Sequence, residues 1–399
     1  MSRIEPLESA LLPPGIRSRH VDAVNGLTMH ILEAGFEGGD RPGMILLHGF
    51  PELAYSWRKV MLPLAAAGYH VVAPDQRGYG RTVGWNAGDT SDLSGFRLLN
   101  LVRDVVGLLH ALGWRSVVIS GHDFGSLVAA WCALLRPDLF HAVALLSSPF
   151  PGAPPLPSRV AGDSPASANI HEELAQLDRP RKHYQWYYSS RPANTDMLKP
   201  PQGLHAFLRA YFHVKSGDWP GNRPFPLSSW SANELAKLPT YYTMELNQSM
   251  PETVAPHMPT AEQISACRWL PDDELCVYTN EFARTGFTGG LQWYRCKTSA
   301  AFDNELQIFS GRTIDVPAIY VAGKHDWGTH QFPDNFEKMQ SRACRRFLGT
   351  TLIDGAGHWV QQEQPERVSS LLVDFLKGIR GSHNVGAKSQ THQASAPER

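Results

Sequence analysis

Five short segments hold residue types that could share one reaction. The first is Gly121-His122-Asp123-Phe124-Gly125, directly after the apolar run 117–119. Small residues flanking a central nucleophile suit a strand–turn–helix elbow, whose tight turn thrusts the middle side chain beyond the sheet. The side chain here is Asp123, a carboxylate rather than a hydroxyl or thiol. Read alone, an Asp at a helix start would more simply cap backbone N–H groups. The second segment, His48-Gly49-Phe50-Pro51-Glu52, follows the run 43–47 and can turn the Phe50 N–H toward the same edge. Together with the Phe124 N–H it would form an oxyanion hole. The third, Asp75-Gln76-Arg77-Gly78-Tyr79-Gly80, suits a structural role in which Arg77 ties loops together. The fourth, Gly355-Ala356-Gly357-His358-Trp359, places small residues before His358 and so lets that loop approach closely. The fifth, Gly323-Lys324-His325-Asp326, offers Asp326 to orient His358 and balance its charge. Singly, Asp326 is also an ordinary turn residue. Jointly, the candidates run nucleophile, acid, histidine, each after a strand-like run, which is the chain order expected when an elbow presents the nucleophile.

The elements that must position these residues alternate. Residues 43–47, 70–73, 116–120 and 141–146 read as short buried strands, and residues 55–67, 96–112 and 124–135 as helices. Such alternation predicts an α/β fold with a parallel sheet covered on both faces. Residues 150–167 form a Pro/Ala/Ser-rich connector. From there to about residue 298 the alternation stops, aromatic residues abound, and an inserted, mostly helical domain is expected. Alternation resumes with strands at 317–322 and 348–353, a helix around Phe336 between them, and a last helix over 365–379. Residues 381–399 are polar and rich in small residues, and are expected to be disordered.

Composition narrows the function. Lys and Arg total 37 against 38 Asp and Glu, a net charge of -1, so no global field favours nucleic acid or an anionic membrane. No run approaches the roughly 18 apolar residues that span a bilayer, and the acidic start does not read as a signal peptide. The five cysteines lack metal-ligand spacing and read as buried free thiols in a reducing, cytoplasmic setting.

The segments HGFPE, DQRGYG, GHDFG, GKHD and GAGHW resemble those of the α/β-hydrolase-fold epoxide hydrolases, a likeness that covers residues 17–380 in two halves. Within the insert, TGFTGGLQWYR is similar to the family's second lid-tyrosine motif and designates Tyr294. HYQWYY is similar to the first and designates Tyr184, with Tyr187 and Tyr188 on the same helical face as alternatives. The resemblance implies a mostly parallel central sheet flanked by helices, divided into core residues 1–149 and 299–380, a helical lid over 150–298 and the tail 381–399. It further implies two phenols facing Asp123 and no metal or organic cofactor. Pro51, Trp186, Tyr187 and Trp359 are expected to contact substrate. The chain lacks the phosphatase-like domain of long mammalian soluble enzymes and the anchor and arm of the microsomal type, and its insert is longer than usual. A large apolar lid would suit a homodimer.

The residue types fit that reaction. An epoxide carbon is sp³, so a serine would leave a stable ether, whereas a carboxylate leaves an ester that water can cleave. His358, oriented by Asp326, would activate the water; the phenols would donate to the ring-opened alkoxide. A dehalogenase is the nearest rival, since Asp also displaces halide. Haloalkane dehalogenases usually place Trp after the nucleophile, and fluoroacetate dehalogenases place arginines one and four residues after it. Phe124 and Leu127 occupy those positions here. A non-catalytic ligand-binding member of the fold is a third reading, against which stands the full set of candidate residues.

Overall fold

Apolar runs without alternation belong in strands covered on both faces, and the central strands of this chain are of that kind. The computed structural model describes residues 4–86, 92–156 and 169–389. Its strands are β1 (Ile16–Val24), β2 (Leu27–Ala34), β3 (Gly43–Leu47), β4 (His70–Pro74), β5 (Val117–His122), β6 (Phe140–Leu146), β7 (Arg181–His183), β8 (Thr243–Glu245), β9 (Ile314–Gly323) and β10 (Cys344–Ile353). Eight form one sheet in the order β1-β2-β4-β3-β5-β6-β9-β10, and β7 pairs with β8 separately. From β4 to β10 all neighbours are parallel, while β1, β2 and β4 pair antiparallel. Every residue of β3 and β5 is buried.

Helices Arg58–Ala66, Leu98–Ala111 and Phe124–Leu135 make the crossovers between β3 and β4, β4 and β5, and β5 and β6. The chain leaves β3 toward β4 and returns past it to β5, so the connections diverge at the carboxyl ends of β3 and β5. Such a switch point opens the crevice in which doubly wound sheets place their ligands. The loops bearing Phe50 and Asp123 leave the sheet there.

The segment between β6 and β9 is built of helices apart from the β7–β8 pair. Its helix Thr288–Lys297 is docked on the loop after β4: Trp293 Nε1 donates to the Arg77 carbonyl at 3.0 Å, and Gly289 lies against Gly78 so tightly that a Cβ on Gly289 would stand 1.9 Å from the Gly78 oxygen. Arg77 itself holds Asp104 through Nε and Nη2, both at 2.7 Å, and reaches the Asn25 carbonyl, which is the loop-tying role expected of it. Backbone cannot retreat as a flexible side chain can. Gly289→Ala is therefore expected to cost about 1–3 kcal/mol by overpacking and to lower the melting temperature by several degrees. Gly39→Ala, where an added Cβ meets nothing within 4 Å, is the control. Equal melting curves for the two variants would remove this contact as an anchor.

Three expectations need correction. The β1–β2 hairpin, absent from the sequence reading, escapes a search for apolar runs because β1 buries only Ile16, Val21 and Val24 and because His30 and Glu33 interrupt the apolar residues of β2. The last helix runs Pro365–Ser389, well past residue 380, so the disordered tail assigned to 381–399 begins too early. Val368, Leu372 and Leu376 bury one face of that helix, and extending a nucleated helix costs little even through Gly381. Finally, all five cysteines are free thiols, but Cys276 is exposed and Cys267 half-buried. Residues 157–167 of the connector and 390–399 of the tail lie outside the described residues.

Candidate active site

The elbow after β5 is as tight as its glycines require. A Cβ on Gly121 would stand 2.0 Å from the Gly125 oxygen, and one on Gly125 would stand 2.4 Å from the Leu47 oxygen. Asp123 adopts φ 53°, ψ −118°, a conformation costly for an L residue, and its side chain caps no N–H of the following helix. Instead its Oδ1 accepts the Phe50 N–H at 3.0 Å, which brings the β3 loop onto the carboxylate as the oxyanion-hole reading requires for that donor. Gly49 makes this approach possible, since a Cβ there would lie 2.4 Å from that of Asp123.

On the other side, His358 Nε2 lies 3.4 Å from Asp123 Oδ2. His358 Nδ1 is 3.0 Å from Asp326 Oδ1, which also accepts the Gly328 N–H at 2.7 Å. A carboxylate on Nδ1 assigns the proton of neutral His358 to that nitrogen and leaves Nε2, which has no hydrogen-bond partner among the described residues, as a lone pair aimed at the site. The loop carrying His358 is clamped: its N–H donates to the Lys215 carbonyl at 2.8 Å, and Glu363 accepts the N–H groups of Gly217, Gly357 and Trp359 at 2.7–2.9 Å.

Two buried groups that sequence reasoning left without a role complete the charge balance. His122 Nδ1 meets Glu52 Oε2 at 2.6 Å and its Nε2 meets the His358 carbonyl at 2.6 Å. Both partners are acceptors, so both ring nitrogens carry protons and His122 is a cation beside Asp123. Glu52 is satisfied further by the Gly49 N–H, Gln361 and Gln362. Burial opposes charge on His122, yet Glu52 and Asp123 hold its pKa above the usual value. Burial likewise opposes ionisation of Asp123, but His358 in its protonated form, Lys215 and His122 keep it well below the carboxylate range. Asp326 is lowered for the same reason, through His358 and the Gly328 N–H. Both residues stand inside motifs quoted from the sequence, and two ionisable groups flanking a nucleophile were the available signal.

The inserted helices supply an aromatic wall. The Tyr294 ring lies 5.3 Å from Phe50, 5.4 Å from Phe124 and 6.1 Å from Tyr184. No hydrogen bond reaches the Tyr294 hydroxyl among the described residues; that of Tyr184 donates to Gln331 at 3.1 Å and accepts from Gln185. Burial, then the Asp123 carboxylate, pushes both phenols well above their usual pKa, so both remain neutral donors. Of the alternatives to Tyr184, Tyr188 donates to Tyr211 and Tyr187 to Asp196. Tyr188, named as an alternative from the sequence, nevertheless packs on Phe50 and Tyr294 and belongs to this wall.

Trp186 lies apart from this wall, and Tyr187 meets it through the Tyr188 ring at 5.7 Å. Trp186 packs on His171 and His183, and both residues line a groove with Lys182, Asp196 and Glu252. Their helix, Tyr184–Ser189, is short: Trp186, two residues after Tyr184, points off the face that Tyr184 presents, while the Tyr187 hydroxyl is drawn to Asp196. Trp359 packs against His358 and donates from Nε1 to the Phe212 carbonyl, a wedge behind the histidine. Pro51 is buried after a cis peptide beside Phe50.

Among the described residues no group of three His, Cys, Asp or Glu is placed to hold a metal ion, and no helix is long and apolar enough to cross a membrane.

A family model for the alpha/beta hydrolase fold matches residues 42–196. Epoxide hydrolase A of Mycobacterium tuberculosis is 34% identical over 361 residues, covering 89% of this chain and 96% of that protein. Epoxide hydrolase 2 of Siraitia grosvenorii is 29% identical over 363 residues, with 89% and 96% covered. Among solved structures, an epoxide hydrolase from an endophytic Streptomyces superposes with a TM-score of 0.74 at 29% identity, covering 92% of this chain and 97% of that one. Potato (Solanum tuberosum) epoxide hydrolase I gives 0.67 at 30% identity, with 91% and 99% covered.

Proposed function

The chain belongs to the epoxide hydrolases of the α/β-hydrolase fold, and from that premise we propose that Asp123 converts an epoxide to a vicinal diol through a covalent ester, beneath a lid formed by residues 150–298. The observation that carries the assignment is the division of labour on one carboxylate. Oδ1 is held by the Phe50 N–H, while Oδ2 faces His358 Nε2. Oδ2 attacks the epoxide carbon, and Oδ1 becomes the carbonyl oxygen of the ester. The alkoxide released by ring opening takes a proton from Tyr294 or Tyr184. Water then attacks Cγ of the ester. His358 Nε2 takes one of its protons, Asp326 stabilises the resulting imidazolium, and the Phe50 and Phe124 N–H groups hold the oxyanion. The Cγ–Oδ2 bond then breaks, the departing diol oxygen takes the imidazolium proton, and the second water proton, released as Asp123 ionises again, returns to the tyrosinate. A dehalogenase would need a donor for halide next to the nucleophile, and the Phe124 ring supplies none.

Single turnover in water enriched in heavy oxygen, with enzyme in excess, tests the scheme. The first diol should lack the label, because its new oxygen comes from Asp123, and the label should appear in the protein. Full labelling of that first diol would mean direct attack by water.

The charges set a pH dependence. Asp123, with its pKa lowered, stays ionised well into the acid range, and the phenols, with theirs raised, stay protonated well into the base. Neither participant in ring opening changes state between about pH 5 and 9, so the single-turnover alkylation rate should be flat there. A tenfold slope within that window would mean that another group titrates in the first step.

A further inference from the structure

Lys215 ends the helix Leu204–Lys215 and is 4% exposed. A buried ammonium ordinarily meets a carboxylate or several carbonyl oxygens, because it loses its hydration and has three N–H groups to satisfy. Among the described residues the Lys215 Nζ has neither an ion pair nor a hydrogen bond. Its neighbours are ring faces instead: Tyr242 at 5.0 Å, Tyr211 at 5.4 Å, Trp359 at 5.5 Å and Tyr241 at 5.9 Å. Such contacts attract a cation but accept no conventional hydrogen bond.

The cage belongs to the wall of the candidate site. Tyr242 packs on Tyr184 at 5.1 Å. Tyr211 accepts the hydroxyl of Tyr188, whose ring lies 4.9 Å from Tyr294. Trp359 packs on His358, and the Lys215 carbonyl holds the His358 N–H. The cation thus stands one ring away from the groups assigned to ring opening and ester hydrolysis. An anionic substrate approaching Asp123 would be repelled by the nucleophile, and a buried cation beside His358 and Trp359 offsets that repulsion.

We propose that Lys215 is a specificity residue that selects epoxides bearing one carboxylate a few bonds from the oxirane ring. The proposal rests on the epoxide hydrolase reading of the same site. The aromatic cage keeps the ammonium dry and in place without neutralising it, so its charge and donors remain for the substrate. A neutral epoxide would leave those donors unmet.

Matched substrates separate recognition from catalysis: an oxiranyl benzoate with its isosteric benzamide, and an epoxyhexanoate with its amide. The wild type should favour the acid over the amide in kcat/KM by roughly tenfold or more. Lys215→Met should lower that ratio by about 30-fold, and Lys215→Arg should keep it within about threefold of wild type, since the guanidinium retains charge and donors. The acid-to-amide ratio is diagnostic because any field that Lys215 exerts on Asp123 affects both substrates alike. Lys215→Gln serves if the methionine variant fails to fold. A wild type that prefers the amide overturns the proposal, as does an unchanged ratio in a folded Lys215→Met or Lys215→Gln enzyme; in both cases amide turnover leaves the hydrolase reading standing. Turnover of neither member of either pair overturns the hydrolase reading, and the proposal with it.

Discussion

His358→Gln should take up one substrate molecule per active site and release almost no diol. Ring opening needs an ionised Asp123 and a phenol donor, and the variant keeps both. The cation on His122, paired with Glu52, still stands beside Asp123, so removing the histidine does not leave the nucleophile to be neutralised by burial. Hydrolysis of the ester is different, because neutral water needs a base and, among the described residues, His358 Nε2 is the imidazole nitrogen that faces Asp123. Loss of that base should slow ester cleavage by about a thousandfold or more. The intact protein should gain the mass of one substrate within minutes and hold it. Adding Asp123→Ala should erase the adduct. Asp326→Asn should slow cleavage more than alkylation, since Asp326 acts only through Nδ1 of the histidine. Diol release by His358→Gln at the wild-type rate would sink the assignment, as would the absence of any adduct with a substrate the wild type consumes.

The parts of this site that were legible in the sequence are those where backbone must approach backbone. Gly121, Gly125 and Gly49 leave no room for a Cβ, so the motifs that contain them are readable signatures of an elbow and the loop that meets it. The order of Asp123, Asp326 and His358 followed from the same logic, because each stands just beyond a strand of one parallel sheet. The lid is less legible. Nothing in periodicity tells that Tyr184, following a three-residue strand, should face Tyr294 from another helix. Only the resemblance to a family joined them. That local patterning is also why Trp186 is hard to place from sequence: a single aromatic cluster wraps around one short helix, and proximity to Tyr184 does not tell that the Trp186 ring packs on His171 and His183 instead. His122 and Glu52 illustrate the converse limit. Each was printed within a motif, but a buried ion pair 70 residues apart becomes a functional statement only when both partners are seen.

Replacing both Tyr184 and Tyr294 by Phe should nearly abolish ring opening while leaving the ester-cleaving machinery in place. The alkoxide is a poor leaving group, and with both phenols gone the remaining hydroxyl of the wall, that of Tyr188, is already donated to Tyr211. One hydrogen bond to developing charge is worth about 1–3 kcal/mol, or roughly 10–150-fold in rate, so each single variant should retain measurable activity. The two losses should differ. The Tyr184 hydroxyl already donates to Gln331 and must exchange that bond for the epoxide oxygen, whereas no described group competes for the hydroxyl of Tyr294. Tyr294→Phe should therefore cost more than Tyr184→Phe. Gln331→Leu should speed ring opening in Tyr294→Phe, where the remaining donor is Tyr184, and should have little effect in Tyr184→Phe. Rapid-mixing measurement of alkylation isolates this step from the second half-reaction. A double variant that alkylates within tenfold of wild type would mean that another donor, such as Tyr188 released from Tyr211, protonates the alkoxide.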